Sequence, residues 1–306
     1  MSRPVVLGFD LGGTDLKAAV VSADGLVERF VKLPARARES AEGPFMAMEE
    51  AARRLVGSGE RIAAVGLGSP GVIDPADGRL RGNTPHLPHW EQMPLAEELR
   101  RRFGTPAGVD NDANAAALAE QRAGAGRGAR LLVMLTVGTG IGCGIVIEGR
   151  PLRGAWGGAG ESGHTPLGRD HAVCRCGIVD CVEPEASGSG LARLARERGL
   201  GELDAAGVFA RAAAGDVVAR ELIAGFTDRL GAVVGTVVNV LNPDVVIIGG
   251  GVANAGEAMF GPLRRAIDRY ALPTHRAGLR LEPAMLGERA GSVGAGLLGW
   301  AALPGA

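Results

Sequence analysis

The chain has 306 residues, 46% of them apolar and 22% charged, with a net charge of −1. That length can bury two separate cores, and the near-neutral charge gives no electrostatic footprint for nucleic acid or an anionic membrane. No apolar run is expected to reach the roughly 18 residues of a membrane span, the start meets a charge too early for a signal peptide, and clustered thiols point to a reducing cytoplasm.

In chain order, Val5–Asp10 reads as an apolar strand, Leu11-Gly12-Gly13 as a turn, and Leu16–Val21 and Val27–Leu33 as further strands. A helix over Pro44–Val56, a buried strand over Ile62–Gly68, a helix over Leu95–Phe103 and a strand over Ala107–Val109 follow. A helix then begins near Asn111 and runs to Arg122. Gly124–Gly128 reads as the hinge. Beyond it the pattern restarts with strand Leu131–Val137, turn Gly138-Thr139-Gly140 and strand Ile141–Ile147. Residues 9–21 lie over 135–147 without a gap, which suggests two similarly built halves. A long helix from Val217 to Leu241, strand Val245–Ile248, helix Met259–Tyr270 and a final helical stretch over Ala290–Ala302 complete the reading. That last stretch is expected to pack on the first half. Strands alternating with helices argue an α/β class.

Glycine is the compositional outlier, with 50 residues, roughly twice the usual frequency of about 7%. Several clusters follow apolar runs and read as turns where backbone approaches a ligand. Three such turns, Asp10–Thr14, Thr136–Gly140 and Ile248–Gly251, offer amides and threonine hydroxyls to phosphate oxygens. Asp10 is suited to orient a hydrated Mg²⁺. The chain lacks a P-loop run, and neither Gly66–Gly71 nor Gly158–Gly163 opens a helix after a strand as a dinucleotide fingerprint must.

His164 and the run Cys174-Arg-Cys176-Gly-Ile-Val-Asp-Cys181 supply three thiolates and an imidazole, the complement of a structural zinc. A Cys-x-Cys disulfide would be strained, so zinc is preferred over a disulfide or unrelated buried thiols. His171 is a rival ligand to His164. Cys143 reads as a small buried thiol outside the site. A folded zinc loop would hold Glu161, His164 and Glu183 beside one another, a set able to grip a polyhydroxylated ligand. At Asp110-Asn111-Asp112 a helix begins. Asp110 or Asn111 caps it, and the helix dipole keeps Asp112 ionised, able to accept a proton from a hydroxyl.

Together these residues resemble the ROK family of sugar kinases and repressors, within the hexokinase–actin–heat-shock ATPase superfamily. The likeness runs through Asp10–Thr14 with Lys17, Gly68–Gly71, Asn111–Asn114, Thr136–Gly142, Gly160–His164, the cysteine box ending in Glu183, and Asn242–Gly251. It implies a two-domain actin-like ATPase fold, α/β with duplicated ribonuclease H-like halves and a zinc-binding loop. Residues 1–125 would form the smaller domain, completed by a C-terminal helix at about 290–306, and 126–289 the larger one.

The resemblance implies ATP-dependent phosphorylation of a hexose, most often glucose at its 6-hydroxyl, with the halves closing on sugar and MgATP. Asp112 is then the base, and Gly71, His86, Asn111, Glu161, His164 and Glu183 are sugar contacts. Asp10, Gly12, Gly13, Thr14 and Lys17 serve Mg²⁺ and phosphates in the first half. Thr136, Gly138, Thr139 and Gly140 hold ATP phosphates in the second, with Gly249 and Gly250 near the adenosine. ATP, Mg²⁺ and a structural Zn²⁺ are the implied cofactors, and a homodimer or higher homo-oligomer the implied assembly. Alternatives are a kinase for N-acetylmannosamine, N-acetylglucosamine, fructose or allose, a non-catalytic sugar-sensing ATP-binding protein, and a repressor, which would carry a DNA-binding domain ahead of Asp10. Asp180 departs from the family at a position usually glycine, and His86 stands where asparagine is frequent.

Overall fold

The computed structural model describes residues 2–169 and 174–305; His171 lies outside the described residues. The first half runs β1 (Arg3–Leu11), β2 (Asp15–Val21), β3 (Val27–Pro34), α1 (Gly43–Leu55) and β4 (Glu60–Ser69). Four short strands follow, β5 (Val72–Ile73), β6 (Leu80–Arg81), β7 (Asn83–Thr84) and β8 (Leu87–Glu91), then α2 (Leu95–Phe103), β9 (Ala107–Asn111) and α3 (Asp112–Ala123). The second half opens with β10 (Leu131–Val137), β11 (Ile141–Ile147) and β12 (Arg150–Pro151). It continues through α4 (Glu183–Ala186), α5 (Gly188–Glu197), α6 (Ala205–Ala213), α7 (Val217–Leu241), β13 (Val245–Gly249) and α8 (Glu257–Tyr270). The chain ends with α9 (Pro273–Arg276), β14 (Arg280–Pro283) and α10 (Ala290–Ala301).

Contacts divide the chain into two compact units. One holds Met1–Gly128, Gly144–Ala159 and Met285–Ala306; the other holds Ala129–Cys143 and Gly160–Ala284. The first five-stranded sheet has the order β3-β2-β1-β4-β9, and the second, β12-β11-β10-β13-β14, follows the same connectivity. In the first, β1 pairs with β2 antiparallel and with β4 in parallel, and β4 pairs with β9 in parallel. In the second, β13 lies parallel to both β10 and β14. Each sheet is therefore a three-stranded antiparallel meander extended by two crossover strands, and the gapless match of 9–21 with 135–147 falls on the first hairpin of each meander.

Side-chain alternation along β1 builds the core of the first unit. Val5, Leu7, Phe9 and Leu11 share a buried cluster with Phe45 and Met48 of α1 and Leu95 and Leu99 of α2. The opposite face carries Gly8 and Asp10 and receives α10, which also packs on β4, β9 and α3. Here much of the glycine finds its use. A Cβ on Gly8 would fall 2.0 Å from the Ser292 carbonyl oxygen, and one on Gly66 1.6 Å from that of Ala295. Glycines at 291, 294, 296 and 299 give α10 a surface without side chains, at about 1 kcal/mol each in helix propensity against alanine. Beside the turns read as ligand-facing, these glycines have a second use: they let a helix lie directly on backbone.

In the second unit α7 packs against α6 and α8. By length and composition α7 could cross a membrane, although charged residues at Arg220, Glu221, Asp228 and Arg229 break its apolar stretch; 61% of its most apolar window is buried in the fold, as in a core helix. The buried Arg229 is ion-paired with Asp228, which also accepts from Tyr270 Oη at 2.9 Å. The strands of β10 and β11 and the span of α7 coincide with the sequence reading. Short strands β5–β8, helices α5 and α6, and the half-exposed β14 were not read from the sequence.

Candidate active site

In the first unit, parallel register aligns Asp10 with Gly68, Gly68 with Asp110 and Ser69 with Asn111. Asp10, one residue short of the end of β1, and the terminal Ser69 and Asn111 therefore lie at one carboxyl edge, where open α/β sheets take ligands. Asn111 caps α3: its Oδ1 accepts from Ala113 N at 2.9 Å and Asn114 N at 3.3 Å. Its Nδ2 donates to the Gly71 carbonyl at 3.1 Å, tying the Gly71 turn to the helix start. Asp112 is the first helical residue, half-buried, with Oδ1 accepting from Ala113 N. Asp110 does not cap. It is buried and accepts from Asn111 N, Asn114 Nδ2 and Arg153 Nε, the last at 2.7 Å.

The first glycine turn joins β1 to β2. Gly12 N donates to Asp15 O at 2.9 Å, and Thr14 O accepts from Ala35 N at 2.8 Å. Lys17, opposite Asp10 in the hairpin register, pairs with it at 3.3 Å. Burial pushes the Asp10 carboxyl above its ordinary value and Lys17 opposes the shift. Gly291 of α10 leaves room for this carboxylate, since a Cβ there would fall 2.3 Å from Asp10 Cγ. His86 stands over the turn, its Nδ1 3.4 Å from where a Gly13 Cβ would be.

In the second unit, Thr136 is in register with Gly249, so the turns after β10 and β13 share one edge. Gly138 N donates to Gly140 O at 2.9 Å, leaving Thr139 exposed at the tip. Gly250 has φ +82°, and a Cβ on it would fall 2.3 Å from Val137 O, so the two turns approach as backbone on backbone. Glu183 Oε2 accepts from Ile141 N at 2.9 Å, and Gly188 N donates to Gly138 O at 2.7 Å.

The cysteine loop lies in the same unit. His164 Nδ1 is 3.3 Å from Cys181 Sγ and 3.7 Å from Cys174 Sγ, and Cys176 Sγ is 3.8 Å from Cys181 Sγ. The four donor atoms all lie within 4.8 Å of one another. A tetrahedral zinc with Zn–S of about 2.3 Å and Zn–N of about 2.0 Å separates its donors by about 3.5–3.8 Å, so the side chains fit the ion. His164 turns Nε2 toward Glu161 Oε2 at 3.9 Å, leaving Nδ1 for the cluster. Burial pushes the Cys174 thiol up and takes Cys181 up to about 12; hydrogen bonds from Ile178 N and neighbouring thiols lower Cys176 despite its own desolvation. Cys143 is buried, raised to about 11 by desolvation, and stands outside the cluster.

Asp180 has φ +55°, the left-handed conformation, in which glycine is the least strained residue. Aspartate is among the few side chains that tolerate it, and the turn keeps its bond from Gly168 N to Asp180 O at 2.7 Å. Sequence reasoning missed Arg153, Gly188 and Gly291 beside these residues. Only Gly291 left a signal, the glycine density of the α10 segment.

The family model described as ROK family matches residues 6–301. A glucokinase from Thermotoga maritima is 36% identical over 309 residues, covering 96% of this chain and 97% of that protein. An N-acetylmannosamine kinase from Shigella flexneri is 36% identical over 251 residues, covering 82% and 84%. Among solved structures, a ROK family glucokinase from Streptomyces griseus, in complex with glucose and AMPPNP, gives a TM-score of 0.82 at 32% identity, covering 97% of this chain and 99% of that one. A match that takes in all three glycine turns and the cysteine box means that the chain belongs to the ROK family and has its actin-like sugar-kinase fold, α/β with mixed sheets.

Proposed function

We propose that the chain transfers the γ-phosphoryl group of ATP to a hexose, with glucose as the acceptor and glucose 6-phosphate as the product. The observation that carries this reading is the end-to-end likeness to a glucokinase that binds glucose and AMPPNP. The first unit supplies the acceptor chemistry. Asp112 takes the proton of the attacking hydroxyl. Asn111, held by its cap and by Gly71, and His86 bind sugar hydroxyls. Gly12, Gly13 and Thr14 offer amides to phosphate oxygens, and Lys17 balances their charge.

Asp10 fits a Mg²⁺ role: it is a single carboxylate at a strand end, with space kept for it by Gly291. Mg²⁺ there would neutralise charge on the phosphates of ATP. From the second unit, Thr136 and Gly138–Gly140 hold phosphates, Gly249 and Gly250 lie along the adenosine, and Glu161, His164 and Glu183 grip the sugar. The three cysteines and His164 Nδ1 would hold a structural zinc, whose role would be to fix the loop bearing those sugar contacts. This arrangement corresponds to two ribonuclease H-like halves with a zinc loop on the second.

ADP release from MgATP over a panel of sugars tests the reading. Strong turnover with glucose and little with acetylated sugars is expected. The likeness to an N-acetylmannosamine kinase supports a second reading, in which the chemistry stays and the acceptor changes; preference for that sugar would select it. Sugar-independent ADP release, or none, would overturn both.

A further inference from the structure

Glu183 sits two residues after Cys181, yet its Oε2 is occupied elsewhere, on Ile141 N at 2.9 Å. The same oxygen would lie 2.5 Å from a Cβ on Gly140. The carboxylate thus rests against the flank of the Gly138–Ile141 turn in the place a side chain at 140 would claim. Gly188, five residues on, donates its N–H to Gly138 O at 2.7 Å, and Gly163, beside His164, lies so close that a Cβ would meet Ile141 O at 2.7 Å. The segment that carries the cysteine cluster therefore grips the turn at both ends. Glu183 Oε1 accepts none of the hydrogen bonds among the described residues.

We infer that Glu183 is a positioning residue for nucleotide: by accepting from Ile141 N it fixes the Gly138–Ile141 turn in its phosphate-binding shape, whatever else its second oxygen contacts. Gly140 is glycine to leave space for that carboxylate. A free turn would have to order its amides around the phosphates at the moment of binding, which lowers affinity. The inference rests on the sugar-kinase reading, because it assumes that this turn meets ATP.

The test is calorimetric titration of Mg²⁺–AMPPNP, without sugar, into the full chain with verified zinc content. Glu183→Ala is expected to weaken binding about tenfold, the scale of one lost charge-assisted hydrogen bond. Glu183→Gln keeps a carbonyl acceptor for Ile141 N and should stay within about threefold of the unsubstituted protein. Gly140→Ala displaces only the flexible end of Glu183, so it should fold normally and bind weakly. If it acts through Glu183, combining it with Glu183→Ala adds nothing further. A Glu183→Ala protein that binds as tightly as the original, a Gln variant as weak as the Ala variant, or additive losses in the double variant would each overturn the role while leaving the kinase reading intact. An unsubstituted protein that binds no AMPPNP would overturn the kinase reading itself, and this inference with it.

Discussion

The two glycine turns occupy matching places in their sheets but are held in different ways. The first is secured by its neighbours: Lys17 faces Asp10 across the same hairpin, Gly12 N closes on Asp15 O, and Thr14 O takes the adjacent Ala35 N. Its wider frame is α10 pressed onto glycines of β1 and β4. The second turn is gripped by residues more than forty positions later, Glu183 and Gly188. That gripping segment follows a loop with few buried side chains among its described residues, Cys174 and Cys181 being two of them. A turn braced by its own hairpin and by close backbone packing, and a turn braced from a cysteine-bearing segment, should respond to different insults.

Metal removal should separate them most. Structural zinc contributes on the order of 10 kcal/mol to small metal-folded units, so chelation is expected to open the cysteine loop and release the second turn. Hydrogen exchange should then show protection lost over 138–141, 162–169 and 174–188, with 10–17 unchanged. Equal loss in both turns would refute the distinction. The converse break is Gly66→Ala, whose methyl group meets backbone at 1.6 Å. It should cost about 3 kcal/mol or more in denaturant unfolding while leaving zinc content intact. The smallest effect sharpens the comparison within the loop. Asp180→Gly relieves a left-handed aspartate and should stabilise the loop by about 1 kcal/mol, read as a raised melting temperature.

How much of this was legible depended on how local its cause was. Strands β10 and β11 and helix α7 announce themselves by apolar runs and periodicity. The cysteine cluster is legible because three ligands fall within eight residues and only His164 lies apart. Asn111 was legible as a cap through its position before a helical run. The bond from Ile141 N to Glu183 was not, because nothing in either segment's pattern points to the other. Arg153 was hidden in the same way, since its partner Asp110 lies 43 residues earlier. The packing of α10 on the first half was legible, but its glycines carried no separate signal, because close packing and ligand approach leave the same compositional mark. Strand β14 is half-exposed, without the apolar run that marks β13.

The most direct measurement is the turnover of Asp112→Asn with saturating glucose and MgATP, alongside its binding of AMPPNP. The substitution keeps the side chain's shape at the start of α3 and removes the proton acceptor. The account predicts kcat lower by at least about a hundredfold with nucleotide affinity within about twofold of the original. Turnover close to that of the unsubstituted protein would contradict it and remove Asp112 from the base role.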